Sequence, residues 1–283
     1  MAINGSGTAA DPWIVHDWDE LQATIAASTP TGGKYVKLAG DIQAPATGTA
    51  LEFENFAQID GDGNAINNLV DTVTLKPVGG NTRLYLQNIS FTNVYCDSED
   101  LFDCVVANNN SSHYRLNNVS VSGIFNGATI FKRGDSGYSQ SLEIVGMAIN
   151  AETQNGAFAL QRESQTLSFN SVYAKIKYTN CSPQYALLHD QYQTAENCLF
   201  NISAENAENN LDIGGKINNC CFIGKGHGAY GISVSYADGV NVVENTLPIT
   251  VATAAEPYVT SLPTADIKDA QTLHNMGFPI GVD

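Results

Sequence analysis

The side chains best suited to chemistry form a row of arginine, carboxylate and histidine residues in three successive segments of the chain. The row consists of Arg133 and Asp135, then Arg162 and Glu163, then His189 and Asp190. Two carboxyl groups roughly 5–9.5 Å apart can hydrolyse a glycosidic bond. If the row is catalytic, its candidate acid, base or nucleophile is therefore found among Glu163, Asp190 and Asp135.

The charges in this row favour binding over catalysis. A glycosidase keeps one carboxyl group protonated, whereas neighbouring cations lower carboxyl pKa values and oppose that role. We therefore expect no efficient catalysis, and the sequence has no defined motif for a metal ion or a cofactor. A surface row of ion pairs without function is the simpler alternative. The candidate binding residues for sugar hydroxyls are Arg133, Arg162, His189 and Asp190.

These segments need a scaffold that brings them together, and a repeated phrase indicates one. In each copy an Asn, Gly or Ser precedes apolar, variable and apolar residues, and the first apolar residue falls at 89, 119, 147, 172, 198 and 220. A period of this length is typical of stacked supersecondary units. The phrase alternates like a strand, and no segment between copies has helical periodicity. The sequence therefore predicts an all-β fold, a parallel β-helix solenoid of about seven coils.

The count of seven includes an early copy at Asn68 and Leu69, which lies 20 residues before Asn88 and Ile89. A β-sandwich is the alternative architecture, but sandwiches rarely repeat one phrase in phase. In a β-helix the first apolar residues of the phrase should form one inward column. That column would consist of Ile89, Val119, Met147, Val172, Cys198 and Cys220.

Each phrase also supplies a residue suited to a sharp bend between strands. Gly and Asn tolerate the left-handed backbone conformation that such a bend needs, and stacked Asn side chains can hydrogen-bond along a ladder. The bend residues would be Asn88, Asn118, Gly146, Ser171, Asn197 and Asn219. Ser171 is the weakest match in this series.

A solenoid must cover its open ends. Near the N-terminus, Asp17 and Glu20 fit an acidic capping box, and Trp18, Leu21 and Ile25 fall on one face of a helix predicted at 17–27. The predicted units are an N-terminal cap at 1–33, the parallel β-helix at 34–245, and a C-terminal cap or docking arm at 246–283.

The composition limits the expected partners. The net charge of −16 repels nucleic acid and anionic lipid, so neither is expected, and a strongly anionic glycan would need a local basic patch. The chain has no apolar stretch long enough to cross a membrane and begins without the features of a secretory signal. We therefore expect six free thiols.

Three phrases carry a resemblance to a known superfamily. Residues 59–64 (Ile-Asp-Gly-Asp-Gly-Asn) and 86–91 (Leu-Gln-Asn-Ile-Ser-Phe) resemble the pectate-lyase-like right-handed β-helix superfamily. Residues 5–15 are similar to the lead-in of β-helix proteins from bacteriophages and bacterial surfaces. The resemblance covers roughly 5–245 and implies a right-handed solenoid, but this fold hosts many functions. The calcium-binding cluster and catalytic arginine of pectate lyases have no recognisable counterpart here.

The resemblance implies a non-enzymatic virion protein on the exterior of a tailed bacteriophage, as a head decoration, a fibre or a tail-associated adhesin. Its expected partners are other virion proteins and host-surface glycans, and phage spikes of this fold suggest a homotrimer. Such a protein is made in the host cytoplasm and released by lysis, so it needs no secretion signal. Two alternatives stay open: a polysaccharide-degrading enzyme, as a phage depolymerase or bacterial carbohydrase, and a bacterial surface repeat protein.

Overall fold

The structure, a computed structural model, describes most of the strand-forming part of the chain. The described residues are 3–26, 33–46, 51–53, 56–70, 75–77, 83–97, 101–102, 112–126, 130–131, 140–154, 166–179, 193–205, 211–213, 216–226, 232–234, 237, 241–244, 249–251 and 259–262. Within these ranges the chain forms one α-helix and 21 β-strands.

The strands are short at both ends of the chain and long in its middle. The helix α1 spans Trp18–Ala26. The early strands are β1 (Trp13–Val15), β2 (Lys34–Leu38), β3 (Ile42–Gln43), β4 (Leu51–Phe53), β5 (Phe56–Asp60), β6 (Ala65–Asn67) and β7 (Leu75–Pro77). The central strands are β8 (Arg83–Cys96), β9 (Ser112–Asn126), β10 (Gln140–Gln154), β11 (Thr166–Asn170), β12 (Tyr173–Thr179), β13 (Gln193–Glu196), β14 (Leu199–Glu205), β15 (Leu211–Ile213), β16 (Lys216–Asn218) and β17 (Cys221–Gly226). The late strands are β18 (Ile232–Val234), β19 (Asn241–Glu244), β20 (Ile249–Val251) and β21 (Val259–Leu262).

The strands stack in chain order into one long parallel sheet. Its main path runs β1-β2-β5-β8-β9-β10-β12-β14-β17-β19-β21, and β11, β13 and β16 pair beside it. A three-stranded sheet, β15-β18-β20, and a two-stranded sheet, β4-β7, lie outside this path. Each strand pairs with the equivalent strand of the next turn, as in a solenoid whose units contact only their neighbours. The predicted all-β parallel β-solenoid is confirmed.

The predicted inward column is also confirmed. Val119 pairs with Ile89 on one side and with Met147 on the other. The six side chains of the column are 0–2% exposed, and they are Ile89, Val119, Met147, Val172, Cys198 and Cys220. Burying one apolar side chain of this size stabilises the fold by about 1.5–3 kcal/mol. The column therefore supplies a continuous core from Ile89 to Cys220.

The bend residues adopt the left-handed conformation that their types predicted. Their φ values lie between 50° and 66°, for Asn88, Asn118, Gly146, Ser171, Asn197 and Asn219. Ser171 follows the others at φ 56° although serine is the weakest match. Two ladder bonds form between these side chains: Asn118 Nδ2 donates to Asn88 Oδ1 at 3.0 Å, and Asn219 Nδ2 donates to Asn197 Oδ1 at 2.7 Å.

The number of turns is smaller than predicted because the early copy at Asn68 is out of phase. Its strand β6 pairs Ile66 with Phe91, and Asn93 Nδ2 donates to Asn68 Oδ1 at 3.4 Å, so Asn68 stacks on Asn93. The strand β5 instead brings Asp60 opposite Gln87, directly before the bend at Asn88. The six bend residues from Asn88 to Asn219 are separated by five turns, so the regular solenoid has about five turns rather than seven.

The helix α1 covers the core near its N-terminal end, as predicted. The Glu20 backbone N–H donates to Asp17 Oδ1 at 2.9 Å, and the Glu20 carboxylate accepts the His16 N–H at 2.9 Å. Trp18, Leu21 and Ile25 are buried on one helix face. No helix in the described ranges is both long and apolar enough to span a lipid bilayer.

The parallel stack continues past residue 245. The strand β20 pairs with β18, and β21 pairs with β19, both in parallel. The division into units at 1–33, 34–245 and 246–283 stays a prediction. The late strands nevertheless contribute to the same sheets as the central turns.

Replacing Gly123 with alanine should destabilise the protein by about 3 kcal/mol, because overpacking a tight site forces backbone shifts. A Cβ at Gly123 would lie 2.1 Å from the carbonyl oxygen of Val94 on the next rung. Gly40→Ala is the matched control, since a Cβ there meets nothing within 4 Å. Urea unfolding of both variants measures the difference, and equal midpoints would contradict this close backbone approach.

All six cysteines should be recovered as thiols. Cys96, Cys198, Cys220 and Cys221 are buried, and the Cys198 and Cys220 thiols hydrogen-bond to each other. Burial raises the pKa of the Cys220 thiol well above its usual range, so this thiol should alkylate slowly in the native protein. Mass spectrometry after alkylation in denaturant without reductant should find six labels. A Cys198–Cys220 disulfide in that digest would refute the prediction.

Candidate functional site

The row of side chains predicted from the sequence lies outside the described residues. This holds for all of its members: Arg133, Asp135, Arg162, Glu163, His189 and Asp190. Their roles in binding or catalysis therefore stay predictions. The described residues bring a different polar cluster together, on the part of each rung that precedes the bend.

This cluster occupies the outward side of four adjacent strands. In β8, Leu84 and Leu86 point into the core, and the alternation of a strand turns the residues between them outward. The same alternation applies in β5, β9 and β10. We call the outward side chains the front face: Gln58 and Asp60 on β5, Arg83, Tyr85 and Gln87 on β8, His113, Arg115 and Asn117 on β9, and Ser141 and Glu143 on β10.

A run of aromatic rings borders the front face. The ring centroids of Tyr35 and Phe56 lie 5.3 Å apart, and those of Phe56 and Tyr85 lie 5.1 Å apart at an interplanar angle of 87°. The Tyr85 ring then meets the His113 ring edge-on at 5.9 Å. Edge-to-face pairs of this kind add roughly 0.5–1.5 kcal/mol each beyond burial. They hold the Tyr85 ring in a fixed orientation beside the polar side chains.

A shallow cavity opens in the middle of the front face. Its volume is about 280 Å³. The lining residues are Gln58, Tyr85, Leu86, Gln87, Arg115 and Asn117. Three amides and one guanidinium offer both donors and acceptors around this cavity. The cavity is slightly smaller than the roughly 300 Å³ at which drug-sized pockets begin, so it suits one small polar unit.

Asp60 fixes the orientation of the amide beside it. Its carboxylate accepts Gln87 Nε2 at 2.8 Å, the Asp62 backbone N–H at 2.9 Å and Asn88 Nδ2 at 3.3 Å. Burial is the largest single influence on this carboxyl and raises its pKa. The three hydrogen bonds and the charge of Lys37 together outweigh burial and leave the pKa of Asp60 below its ordinary value. Because Gln87 donates to Asp60, its Oε1 atom is available to accept from a ligand.

His113 and Arg115 place a mixed set of charges at the next rungs. Arg115 Nε lies 3.4 Å from Glu143 Oε2 across two half-exposed side chains. The Nδ1 atom of His113 hydrogen-bonds to Ser141 Oγ. Burial is the main cause that lowers the pKa of His113, and the charges of Arg83 and Arg115 lower it further against the opposing effect of Glu143. His113 is therefore neutral near pH 7.

A neutral histidine bonded to a serine hydroxyl resembles the nucleophile and base of a hydrolase, but the arrangement is incomplete. Hydrolytic sites orient the base through a third group and supply donors for the oxyanion. In the described part of the chain, no carboxylate hydrogen-bonds to the other ring nitrogen of His113. The pair therefore suits hydrogen bonding to a ligand better than acyl transfer.

The sequence did not single out the front face, although a signal for it was present. The segments at 83–87 and 113–117 alternate apolar and polar residues directly before the repeated phrase. Gln87 and Asn117 each lie one residue before a bend, and Tyr85 and Arg115 each lie three residues before one. Aligning the two bends therefore pairs Gln87 with Asn117 and Tyr85 with Arg115, as in the observed register. The segments after the phrase are richer in ionisable residues, which is why residue type alone favours them.

The chain shows little similarity to known proteins. No protein-family model matches it, and no curated protein matches it. A solved structure that it resembles is a putative immunoglobulin A1 protease from Bacteroides ovatus. The two share 12% sequence identity over 96% of this chain and 89% of that chain, with a TM-score of 0.47. A likeness at this level says nothing about the activity of this chain.

Asp60→Asn should destabilise the protein by about 1 kcal/mol or less at neutral pH, because water screens much of the lost interaction. The native pKa lies below the ordinary 3.8, so the carboxylate stabilises fully above that value and loses its effect as the pH falls through the native pKa. Urea unfolding at about pH 7 and about pH 2.5 should show the wild-type advantage shrinking at the lower pH. Asp11→Asn, at an exposed carboxyl, is the control; an advantage that grows in acid would contradict the prediction.

Proposed function

We propose that this chain is a non-enzymatic β-solenoid protein displayed on the exterior of a bacteriophage particle, and that its front face binds glycans of the host surface. The observation that carries the binding role is the cavity of about 280 Å³ lined by Gln58, Tyr85, Gln87, Arg115 and Asn117. Amides and a guanidinium around an aromatic ring are the groups that pair with sugar hydroxyls and with the apolar face of a sugar ring.

The scaffold supports this role because the site is built on strands rather than on loops. The outward side chains come from three consecutive rungs, whose registers align Gln58, Tyr85 and Arg115 in one row and Asp60, Gln87 and Asn117 in the next. Adjacent rungs are about 4.8 Å apart, and sites on strands hold their geometry better than sites on loops. A ligand of several sugar units can therefore lie along the stack and meet polar side chains at each rung.

The particle context is supported by sequence rather than by the site. Residues 5–15 are similar to the lead-in of bacteriophage β-helix proteins, and the solenoid fold is one that such particles use. On this proposal the partners are other virion proteins, and the segment 246–283 serves as a cap or a docking arm. A homotrimer would follow if that arm exchanges between neighbouring copies.

A polysaccharide-degrading enzyme is the second candidate, and the His113–Ser141 hydrogen bond is the observation that favours it. A neutral histidine can accept a serine proton. The predicted carboxylates Asp135, Glu163 and Asp190 would serve a glycosidase instead. The serine–histidine mechanism and the carboxylate mechanism both predict that the polysaccharide is converted to products, whereas a binding protein leaves it intact.

Removing one cavity amide should weaken glycan binding while leaving the fold intact. Asn117→Ala is expected to lower affinity for host capsular polysaccharide about tenfold, since it deletes a hydrogen-bonding group at an exposed position. Asn150→Ala is the matched control, because Asn150 is an exposed asparagine beyond the bend of β10. Surface plasmon resonance on immobilised polysaccharide measures both variants.

The same samples decide between binding and degradation. Product assays for reducing ends and unsaturated sugars should stay at background for the wild type. Turnover that disappears in Ser141→Ala, Glu163→Gln or Asp190→Asn would replace the binding proposal with the enzyme. Equal binding by Asn117→Ala and Asn150→Ala would place the glycan elsewhere, and immunogold labelling of purified phage particles tests the exterior location separately.

A further inference from the structure

The front face carries a cluster of cationic side chains on a chain that is otherwise acidic. The whole sequence has 13 Lys and Arg residues against 29 Asp and Glu. Arg83 and Arg115 nevertheless lie on adjacent rungs of the front face, with His113 between them. The sequence already required a local basic patch before an anionic glycan could bind, and this cluster is such a patch.

The register fixes how close the two arginines are. Arg83 pairs with His113, and Tyr85 pairs with Arg115, so the arginines are diagonal neighbours on the outward side. One strand spacing and two residues of rise put their Cα atoms roughly 8 Å apart. Long guanidinium side chains can close on one anionic group from positions at this distance. The charges of both arginines also depress the pKa of His113, which is consistent with their proximity.

Two acidic side chains of the front face, Glu143 and Asp60, lie near this cluster. Glu143 pairs with Arg115 at 3.4 Å, but both side chains are about half exposed, and such pairs exchange easily with a competing anion. Arg83 is exposed and forms no ion pair with the described residues. Asp60 lies at the far side of the cavity, where it is committed to Gln87 and close to Lys37. Within the described residues, Arg83 is therefore the cationic side chain of the cluster that has no acidic partner.

We propose that Arg83 and Arg115 make the front face selective for glycans that carry an acidic group, a carboxylate or a phosphate, over neutral glycans. This inference rests on the proposed function, because it assigns the substrate class of the same cavity. The acidic group is held by the two guanidinium groups, which suit planar carboxylates and phosphates. The sugar to which it is attached occupies the cavity beside Tyr85, Gln87 and Asn117.

The test compares two tetrasaccharides that differ only in the acidic group, together with a phosphate ligand that has no sugar ring. Isothermal titration calorimetry is run with a β-1,4-linked tetrasaccharide of glucuronic acid, with the β-1,4-linked tetrasaccharide of glucose, and with a glycerol phosphate tetramer. We expect the glucuronic acid tetrasaccharide to bind about tenfold more tightly than its glucose counterpart, as a charged hydrogen bond warrants. The preference should shrink when salt is raised from about 0.05 to about 0.5 M.

Two variants locate the selectivity. Arg83→Gln should remove most of the preference for the acidic tetrasaccharide over the glucose tetrasaccharide. Lys175→Gln removes the same charge from an exposed lysine beyond the bend and should leave the preference intact. Arg115→Gln, measured in the same way, tests whether the second arginine also contributes to the preference for the acidic tetrasaccharide. If the glycerol phosphate tetramer binds more tightly than the glucuronic acid tetrasaccharide, with the same dependence on Arg83, phosphate is the preferred acidic group.

The outcomes separate this inference from the proposal beneath it. Equal binding of the two tetrasaccharides would overturn the acidic selectivity and leave glycan binding standing. A preference that survives in both Arg83→Gln and Arg115→Gln would overturn the assignment to this cluster. If none of the three ligands bound and host polysaccharide did not bind either, glycan binding itself would fall, and the inference with it.

Discussion

One backbone constraint organises the solenoid: each regular rung bends at a single residue whose φ is positive. An ordinary L-residue pays roughly 1–2 kcal/mol for this conformation, whereas Gly and Asn tolerate it. The constraint recurs at the same place in six rungs, from Asn88 to Asn219. Because the residue after each bend enters the core at equivalent positions, such as Ile89 and Val119, the bend also fixes the register of stacking. A slip by one residue would turn the whole inward column toward solvent.

The front face depends on this register. Its side chains come from adjacent rungs that are 27 to 30 residues apart in the chain, and only the stacking of rungs makes them neighbours. Asp60 illustrates the dependence, because it accepts from Gln87 directly before the bend and from Asn88 at the bend itself. The aromatic run from Tyr35 to His113 follows the same axis. A site assembled in this way is rigid, and it extends naturally along a repeating ligand.

The sequence was sufficient for the architecture because the repeated phrase records both the core and the bend. Apolar alternation identified Ile89 and its equivalents, and Asn or Gly identified the left-handed positions. The predicted number of turns was too high because Asn68 was aligned with Asn88. The tight turn at 61–64 adds residues between two short strands, so spacing alone cannot show whether Asn68 stacks on Asn88 or on Asn93. The register of β6 decides that question through a pairing between distant segments.

The front face was harder to predict because its members are common surface residues. Gln58, Gln87 and Asn117 match no binding or catalytic motif, and what brings them together is the cavity that they line. Arg83 and Arg115 are two residues apart in register but 32 apart in sequence, so their proximity depends on the length of the intervening turn. The row from Arg133 to Asp190 was a candidate site on the basis of residue type alone. Residue type identifies candidate site residues, whereas the register of the stacked rungs determines which of them lie close together.

Native-state hydrogen exchange tests most directly whether the left-handed bend holds neighbouring rungs in register. Exchange would be followed by mass spectrometry on peptides from β8, β9 and β10 in the wild type and in Asn118→Val, where a β-branched residue replaces the bend asparagine. We expect the backbone amides of all three strands to exchange faster in Asn118→Val than in the wild type, because β9 pairs with both β8 and β10. Faster exchange confined to the residues around Asn118, with β8 and β10 unchanged, would contradict it.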